Sequence, residues 1–419
     1  MRVAVVGGGA REHALVRALH ADPMVDAVAC GPGNAGTDAE ADPLPLDPTS
    51  PDSVVAAVRA WDADLVVIGP EAPLVAGVGD ALRDAGLTCF GPSAASAQLE
   101  ASKSFAKTVM AAASVPTAMA RLADTPAEAA DALDAFGPPY VVKADGLAGG
   151  KGVVVTDDRS EALAHAAAAG RVVIEEYLDG PEVSLFCLCD GVDALALPAA
   201  QDFKRLGDGD TGPNTGGMGA YSPLPWAPPD LAGTVVDRVA LPVLAEMAAR
   251  GTPFVGLLYV GLALGAAGPR VVEFNARFGD PETVVVLPRV ANGIGSLLTA
   301  CARGDLASAG PIRERGAAVV AVVLAAAGYP GQVRTGDEVT GLDAAAALPG
   351  VGVLHAGTRR DTAGRVRSTG GRVLAVSGTG ADLAGARDAA YAGVAKLGLA
   401  GGQFRHDIAG AAVGSGRAR

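Results

Sequence analysis

Val3 to Val6 form a wholly apolar run that meets three glycines, and the glycines lead directly into AREHALVRALHA, whose apolar residues recur at helical spacing. A short apolar strand, a glycine turn and a helix fit a parallel sheet covered on both faces. The pattern then repeats. DAVAC reads as a second strand, and SPDSVVAAVRAW as a helix with Ser50 as N-cap and Pro51 at the first helical position. DLVVIG reads as a buried strand, PLVAGVGDALRDAG as a helix ended by glycine, and TCFG as a strand. This alternation predicts a Rossmann-like βαβ domain over residues 1–102.

The texture changes after residue 101. SKSFAKTVMAAA reads as a helix, YVVKADG as a strand, GLAGGKGVVV as a glycine loop entering a strand, SEALAHAAAA as a helix and VVIEEYL as a strand. These make a small α+β module over about 116–190, inside a middle domain of 103–316. That domain closes with the long helix TVVDRVALPVLAEMAARG and the strands FVGLLYVGLAL and RVVEFNARF. A third unit, 317–419, holds the strands AAVVAVVLAAAGYPG, GVLHAGTRR and GRVLAVSGTG and the helix LAGARDAAYAGVAKLG. The tail AAVGSGRAR is expected to be disordered. One segment fits no element: QDFKRLGDGDTGPNTGGMGAYSP, Gln201 to Pro223, is rich in charge and glycine and shows neither strand nor helix period.

With 50% hydrophobic residues but 4% aromatics, the cores must be built from Ala, Val and Leu. No apolar run reaches the roughly 18 residues of a membrane span, and MRVAVVGGGAREH reads as a first strand rather than a targeting segment. The net charge of −13 argues against nucleic acid or an anionic membrane as the main partner. The five cysteines include no CxxC pair, so they are expected as small buried hydrophobes in a reducing cytoplasm. The five histidines show no metal-ligand spacing.

Two glycine loops resemble nucleotide fingerprints and fail them. In VVGGGAREH, Glu12 stands where a dinucleotide fingerprint needs its third glycine, and no acidic residue ends the second strand, where VACGPGNAG follows. A nicotinamide cofactor, and hence a dehydrogenase, is not expected. Gly7, Gly8 and Gly9 still present N–H groups at a helix start beside Arg11, which suits an anion; a tight turn without a ligand is the plainer reading. In DGLAGGKGVVV the spacing before Lys151 is one residue short of a P-loop, and Gly152 replaces the magnesium-binding Ser or Thr. What remains is either a glycine-rich hairpin or a loop able to fold over phosphates.

VVEFNARFGDPE carries the clearest chemistry. Glu273 and Asn275 share a strand face, and Arg277 projects from that face too. Two adjacent oxygen ligands suit magnesium, and a neighbouring cation can stabilise a transferring phosphoryl group. Lys143, in a run of valines, needs either an internal carboxylate or a nucleotide phosphate. The edge VVIEEYLDGPEVS, with Glu175, Glu176, Tyr177 and Glu182, can offer backbone groups to a purine and a carboxylate to a ribose.

In order along the chain, Lys103 in GPSAASAQLEASKSFAK, Lys143 in VVKADG, the AGGKGV loop, IEEYLDGPE and EFNARFGDPE resemble the ATP-grasp ligases. With GGGAREHAL, GPGNAGT, GPEAPL, TGPNTGGMGAYSP and AAAGYPG, the chain resembles the glycinamide ribonucleotide synthetase family over nearly its whole length. The resemblance implies an ATP-grasp fold: an N-terminal Rossmann-like parallel-sheet domain, a small α+β ATP lid subdomain and a C-terminal β-rich domain. It implies ligation of glycine to 5-phosphoribosylamine in de novo purine synthesis, driven by ATP with Mg2+ or Mn2+ through a glycyl phosphate. No protein nucleophile is needed, and the sequence shows no Ser/His/Asp or Cys/His arrangement. A cytoplasmic monomer with no further synthetase downstream is expected.

By the same resemblance, Lys103 and Lys143 hold ATP phosphates under a lid of Gly149, Gly150, Lys151 and Gly152. Glu175, Glu176 and Leu178 meet adenine, and Glu182 meets the ribose. Glu273 and Asn275 bind the metal, and Arg277 faces the reacting phosphate. Gly9, Arg11, Glu71 and Asp280 are placed for phosphoribosylamine, with Arg372 for its phosphate. The irregular segment becomes a site wall in which Asp202 and Lys204 act in catalysis and Arg205 and Asn214 contact substrate. Phe203 stands where relatives carry His or Tyr, and GLLYVGLAL supplies no further metal carboxylate. Two alternatives are another ATP-grasp carboxylate–amine ligase of purine metabolism and a non-catalytic nucleotide-binding protein.

Overall fold

The computed structural model describes residues 1–147 and 152–415. The chain opens on a five-stranded parallel sheet in the order Asp42–Pro43, Ala27–Pro32, Arg2–Gly7, Leu65–Ile68 and Cys89–Phe90. Its central strands are buried on both faces, as their uninterrupted apolar runs require. The helix Pro51–Ala60 starts as expected, with the Ser50 hydroxyl accepting the Ser53 N–H and Pro51 at its first position. The stretch expected as one helix after Leu65–Ile68 is two, Glu71–Val75 and Val78–Asp84. Gly77 lies between them in the left-handed region at φ 84°, which ends the first helix.

The α+β module is an antiparallel sheet ordered Ala120–Ala123, Val172–Glu175, Tyr140–Ala144, Val153–Thr156. The helices Pro126–Phe136 and Arg159–Ala169 pack on it through Ala129, Ala132, Leu133, Ala162 and Ala166. Sequence reading had missed the strand Ala120–Ala123, three of whose four residues are exposed, and the helix Pro126–Phe136. The helix is announced by a capping box in which Thr125 and Glu128 satisfy each other's backbone N–H groups. Gly149, Gly150 and Lys151 lie outside the described residues.

A second antiparallel sheet, Ala194–Ala196, Glu182–Asp190, Val255–Gly265, Gly268–Asn275, carries Glu273 and Asn275 on its edge strand. The expected long helix before it is interrupted: Leu231–Val235, a π-helical turn Val236–Ala240, then Leu241–Ala249. Pro242 explains the widened turn, because it has no N–H for the regular ladder.

The stretch 201–223, expected to lack structure, holds four short strands. Arg205–Gly207 and Thr211–Asn214 form a hairpin. Gln201–Asp202 and Gly219–Ser222 join the sheet of the third unit, in the order Gln201–Asp202, Gly219–Ser222, Ala318–Ala325, Arg372–Gly380, Val351–His355. GVLHAGTRR likewise divides into Val351–His355 and Thr358–Arg360. Of the tail AAVGSGRAR, expected to be disordered, the part up to Ser415 belongs to the helix Gly410–Ser415, and residues 416–419 lie outside the described residues. All five cysteines are free and buried, and burial pushes the thiols of Cys30, Cys89, Cys187 and Cys301 up to about 12. No helix among the described residues is long and apolar enough to cross a membrane.

Candidate active site

The first helix, Ala10–His20, begins where an anion was expected, and the protein's own Glu12 takes that place. Its carboxylate accepts the Gly9 N–H at 2.5 Å and the Arg11 Nε–H at 2.5 Å, and the residue is 1% exposed. Gly7 and Gly69 leave the room: a Cβ at either would lie 2.6 Å and 2.1 Å from Glu12 side-chain atoms. The glycine turn is therefore a cradle for an internal carboxylate, which favours the helix N-terminus as a bound anion would. Asn34 of GPGNAGT braces the turn from behind, donating to the carbonyls of Gly8 at 3.0 Å and His355 at 2.9 Å.

Around this corner the charges are paired. Arg11 also donates to the Phe278 carbonyl at 3.0 Å, and its backbone N–H reaches Asp280 at 3.3 Å. Arg372 donates to the carbonyls of Gly216 and Asp280, both at 2.6 Å, and lies 3.3 Å from the Asp280 carboxylate. Burial would raise the pKa of Asp280, but Arg372 and Arg11 outweigh it and hold it below the ordinary range. Arg277 was read on the strand face with Glu273 and Asn275, but the strand ends at Asn275. The guanidinium turns to Glu100 at 3.0 Å and Glu71 at 3.2 Å, and keeps Asn275 Oδ1 within 3.5 Å. Burial opposes the charge on Arg277, yet Glu100 and Glu71 raise its pKa above the usual arginine value.

Glu273 and Asn275 do share a face, opposite Gly261 and Tyr259 of the neighbouring strand. A Cβ at Gly261 would come within 3.3 Å of Glu273 Cγ, so the glycine keeps that carboxylate's space. Among the described residues the Glu273 side chain makes neither a hydrogen bond nor an ion pair. No cluster of three or more His, Cys, Asp or Glu there could cage a metal. Glu273 and Asn275 are the side-chain oxygens this strand could offer a divalent cation. Lys103 donates to the Gly146 carbonyl at 3.0 Å; burial lowers its pKa, and Glu273 opposes the shift.

Lys143 is 4% exposed and is held by Glu175 at 2.8 Å and the Val272 carbonyl at 2.9 Å. Glu175, expected near adenine, has its side chain turned inward between Lys143 and Lys107, the latter at 3.0 Å. The Glu176 N–H donates to the Met119 carbonyl at 3.0 Å, its carboxylate accepts the Met119 N–H at 2.8 Å, and Arg270 pairs with it. Leu178 follows in the half-buried exit of the strand, and Gly152 accepts the Ala144 N–H at 2.7 Å.

The segment after Gln201 brings Lys204 to Glu182 and, at 3.9 Å, to Asp202. Burial opposes the charge on Lys204, but Asp202, Glu182 and Glu273 raise its pKa well above the usual lysine value. Burial also pushes Asp202 up to about 7, with Lys204 opposing and Glu282, Glu182 and Glu273 reinforcing. Tyr259 donates to Glu282 at 2.6 Å and lies 2.7 Å from the Ser184 hydroxyl, which reaches Asp202 at 3.5 Å. Asn214 stands in the hairpin opposite Arg205, whose side chain donates to the Gly212 carbonyl at 2.9 Å. Phe203 packs between Arg405 and Tyr221, with the guanidinium 4.8 Å from its ring, so its position is occupied by packing. Glu12, Glu100, Lys107, Ser184, Tyr259 and Glu282 went unassigned from sequence; only the departure at Glu12 left a signal there.

Three profiles of phosphoribosylglycinamide synthetase match the chain: the N domain over residues 1–100, the ATP-grasp (A) domain over 101–283 and the C domain over 319–411. The chain is 58% identical to the phosphoribosylamine–glycine ligase of Streptomyces coelicolor, covering 99% of this chain and 100% of that one. It is 56% identical to that of Mycobacterium tuberculosis, covering 97% of each. The crystal structure of phosphoribosylamine–glycine ligase from Thermotoga maritima superposes with a TM-score of 0.84 at 33% identity, covering 97% of this chain and 100% of that one.

Proposed function

The chain belongs to the phosphoribosylglycinamide synthetase family, and from that membership we propose how its site joins glycine to 5-phosphoribosylamine with cleavage of ATP. The enzyme is an ATP-grasp ligase of purine biosynthesis. The observation that carries the site assignment is the pair Glu273 and Asn275, side by side on one strand, with Lys143 anchored to the carbonyl of Val272 immediately before them. Lys103 and Lys143 hold the ATP phosphates, and Glu182 takes the ribose. The exit Glu175 to Leu178 lies against adenine through backbone groups, because the side chains of Glu175 and Glu176 are engaged elsewhere.

Magnesium or manganese on Glu273 and Asn275 would neutralise charge on the β- and γ-phosphates. A glycine carboxylate oxygen attacks the γ-phosphorus, the bond to ADP breaks, and glycyl phosphate forms. Arg277 stabilises the phosphoryl oxygens, which requires that it exchange part of its hold on Glu71 and Glu100 for substrate. The amine nitrogen of phosphoribosylamine then attacks the glycyl carbonyl carbon. Inorganic phosphate leaves with the former carboxylate oxygen, and the amine gives up a proton. Asp202, pushed up to about 7 and close to Lys204, is positioned to receive it. Gly9, Arg11, Glu71, Asn214, Asp280 and Arg372 line the phosphoribosylamine side. Because Glu12 fills the helix N-terminus, the substrate's phosphate is held by arginine rather than by that turn.

Glycine carrying 18O in its carboxylate tests this route. The expected result is one labelled oxygen in the inorganic phosphate for each product formed. Unlabelled phosphate formed at the rate of product would exclude a glycyl phosphate.

A further inference from the structure

Lys107, the last residue of GPSAASAQLEASKSFAK, has been given no role so far, yet it lies in the same buried group as Lys143. Glu175 meets two ammonium groups through different oxygens: Lys107 on Oε1 at 3.0 Å and Lys143 on Oε2 at 2.8 Å. The two lysines are not equivalent. Lys107 spends all three donors inside the protein, on Glu175, the Thr117 hydroxyl at 2.8 Å and the Ala118 carbonyl at 2.9 Å. Lys143 spends two, on Glu175 and the Val272 carbonyl, and its third donor has no partner among the described residues. Two positive charges face one negative charge, so the group carries a net charge of about +1 in a nearly dry setting. Such a group is unfavourable unless an anion arrives to complete it.

We propose that Lys107 is a positioning residue for ATP: it neutralises Glu175, so that the charge and the free donor of Lys143 stay available to a nucleotide phosphate. The inference rests on the assignment of Lys143 to the ATP phosphates and explains how a buried lysine with a carboxylate at 2.8 Å can still bind an anion. Without Lys107, Glu175 and Lys143 form a neutral pair, and a phosphate gains no net attraction. The same ammonium is tied to the metal strand, because the Thr117 hydroxyl that it contacts donates to the Val271 carbonyl at 2.6 Å. Burial lowers the pKa of Lys107, and Glu175 opposes the shift.

The test uses the full chain and titration calorimetry with Mg-ATP, alongside kcat and KM for ATP. Lys107→Met is expected to weaken ATP binding by about tenfold, the scale of one lost partly screened charge interaction, with kcat changed less than about threefold. Lys107→Met with Glu175→Gln restores the net charge of about +1 on Lys143, so affinity is expected to return to within about threefold of the parent. A thermal melt of each variant verifies folding, and the double variant, which buries no unpaired carboxylate, covers the case in which Lys107→Met alone does not fold. Unchanged affinity in Lys107→Met, or a folded double variant that binds no better than the single one, would overturn the proposal. Lys143→Ala separates the two levels. Lost affinity there with no effect of Lys107→Met refutes only the role of Lys107, whereas undiminished affinity in Lys143→Ala refutes the phosphate assignment and this inference with it.

Discussion

At the first-helix end of the site, three arginines already hold protein partners: Arg11 lies on Glu12, Arg277 on Glu71 and Glu100, and Arg372 on Asp280. At the strand end, among the described residues, the Glu273 side chain has no hydrogen bond or ion pair, Lys103 donates to one carbonyl, and the Lys107–Glu175–Lys143 group has one charge to spare. The first end is electrostatically closed and the second is open. An open end costs stability and gains a ligand; a closed end is stable and must exchange partners to admit one. On the proposed assignment the strand end is preset for ATP, while the first-helix end admits phosphoribosylamine only by exchanging existing ion pairs.

The largest effect that could break this contrast is at the strand. Glu273→Ala should lower kcat by about a thousandfold or more, yet leave the thermal midpoint within a few degrees, because no described group loses a hydrogen bond or an ion pair. A large drop in the midpoint would show that Glu273 is structurally engaged. Arg277→Ala should do both kinds of damage: a rate loss of about a hundredfold or more and roughly 3 kcal/mol of unfolding free energy, since Glu100, whose side chain is 8% exposed, is left without its cation. Urea unfolding checks the second number, and an unchanged midpoint would mean that the corner is not held by these pairs.

The pH dependence of stability sharpens the comparison, because one group at each end shifts in the opposite direction. His355, behind the glycine turn, is lowered from 6.5 to about 4 by burial, reinforced by His13, Arg17 and Arg360 and opposed by Glu40. The native state then binds fewer protons than the unfolded chain, so its contribution is full above 6.5 and is lost as pH falls through about 4. Asp202 is raised from 3.8 to about 7, so its contribution is full below 3.8 and is lost as pH rises through about 7. Each is worth at most about 3–4 kcal/mol. His355→Asn should flatten the acid limb of the stability curve and Asp202→Asn the limb toward neutrality; identical curves for variants and parent would contradict the shifts. The smallest effect is expected for Glu176→Ala, about 1 kcal/mol or less, with KM for ATP changed less than twofold, since that partly exposed carboxylate is engaged by Arg270 and the Met119 N–H.

How legible the two ends were in sequence differs for a physical reason. The parallel sheet and its helices announce themselves locally, through apolar runs such as Val3 to Val6 and caps such as Ser50. The strand of Glu273 and Asn275 did too, because the two residues alternate on one chain segment. The strands within 201–222 did not: they are two to four residues long, and Gly219–Ser222 is completed by Val319–Val322 far along the chain. The hairpin tip is held at Asp210 by Arg405, a residue 1% exposed near the other end of the protein. Glu12 was visible as a break in a fingerprint, but a capping box with glycine at the N-cap lacks the usual hydroxyl signal, so its fold-back onto the turn was not. Lys107 and Glu100 look like ordinary helix residues until tertiary packing brings them to their partners.

The most direct measurement is ADP release from the purified chain with Mg-ATP, glycine and freshly made phosphoribosylamine, each omitted in turn. The account predicts turnover that requires all three and that disappears in Glu273→Ala. Turnover that persists without glycine, or none with every component present, would contradict it.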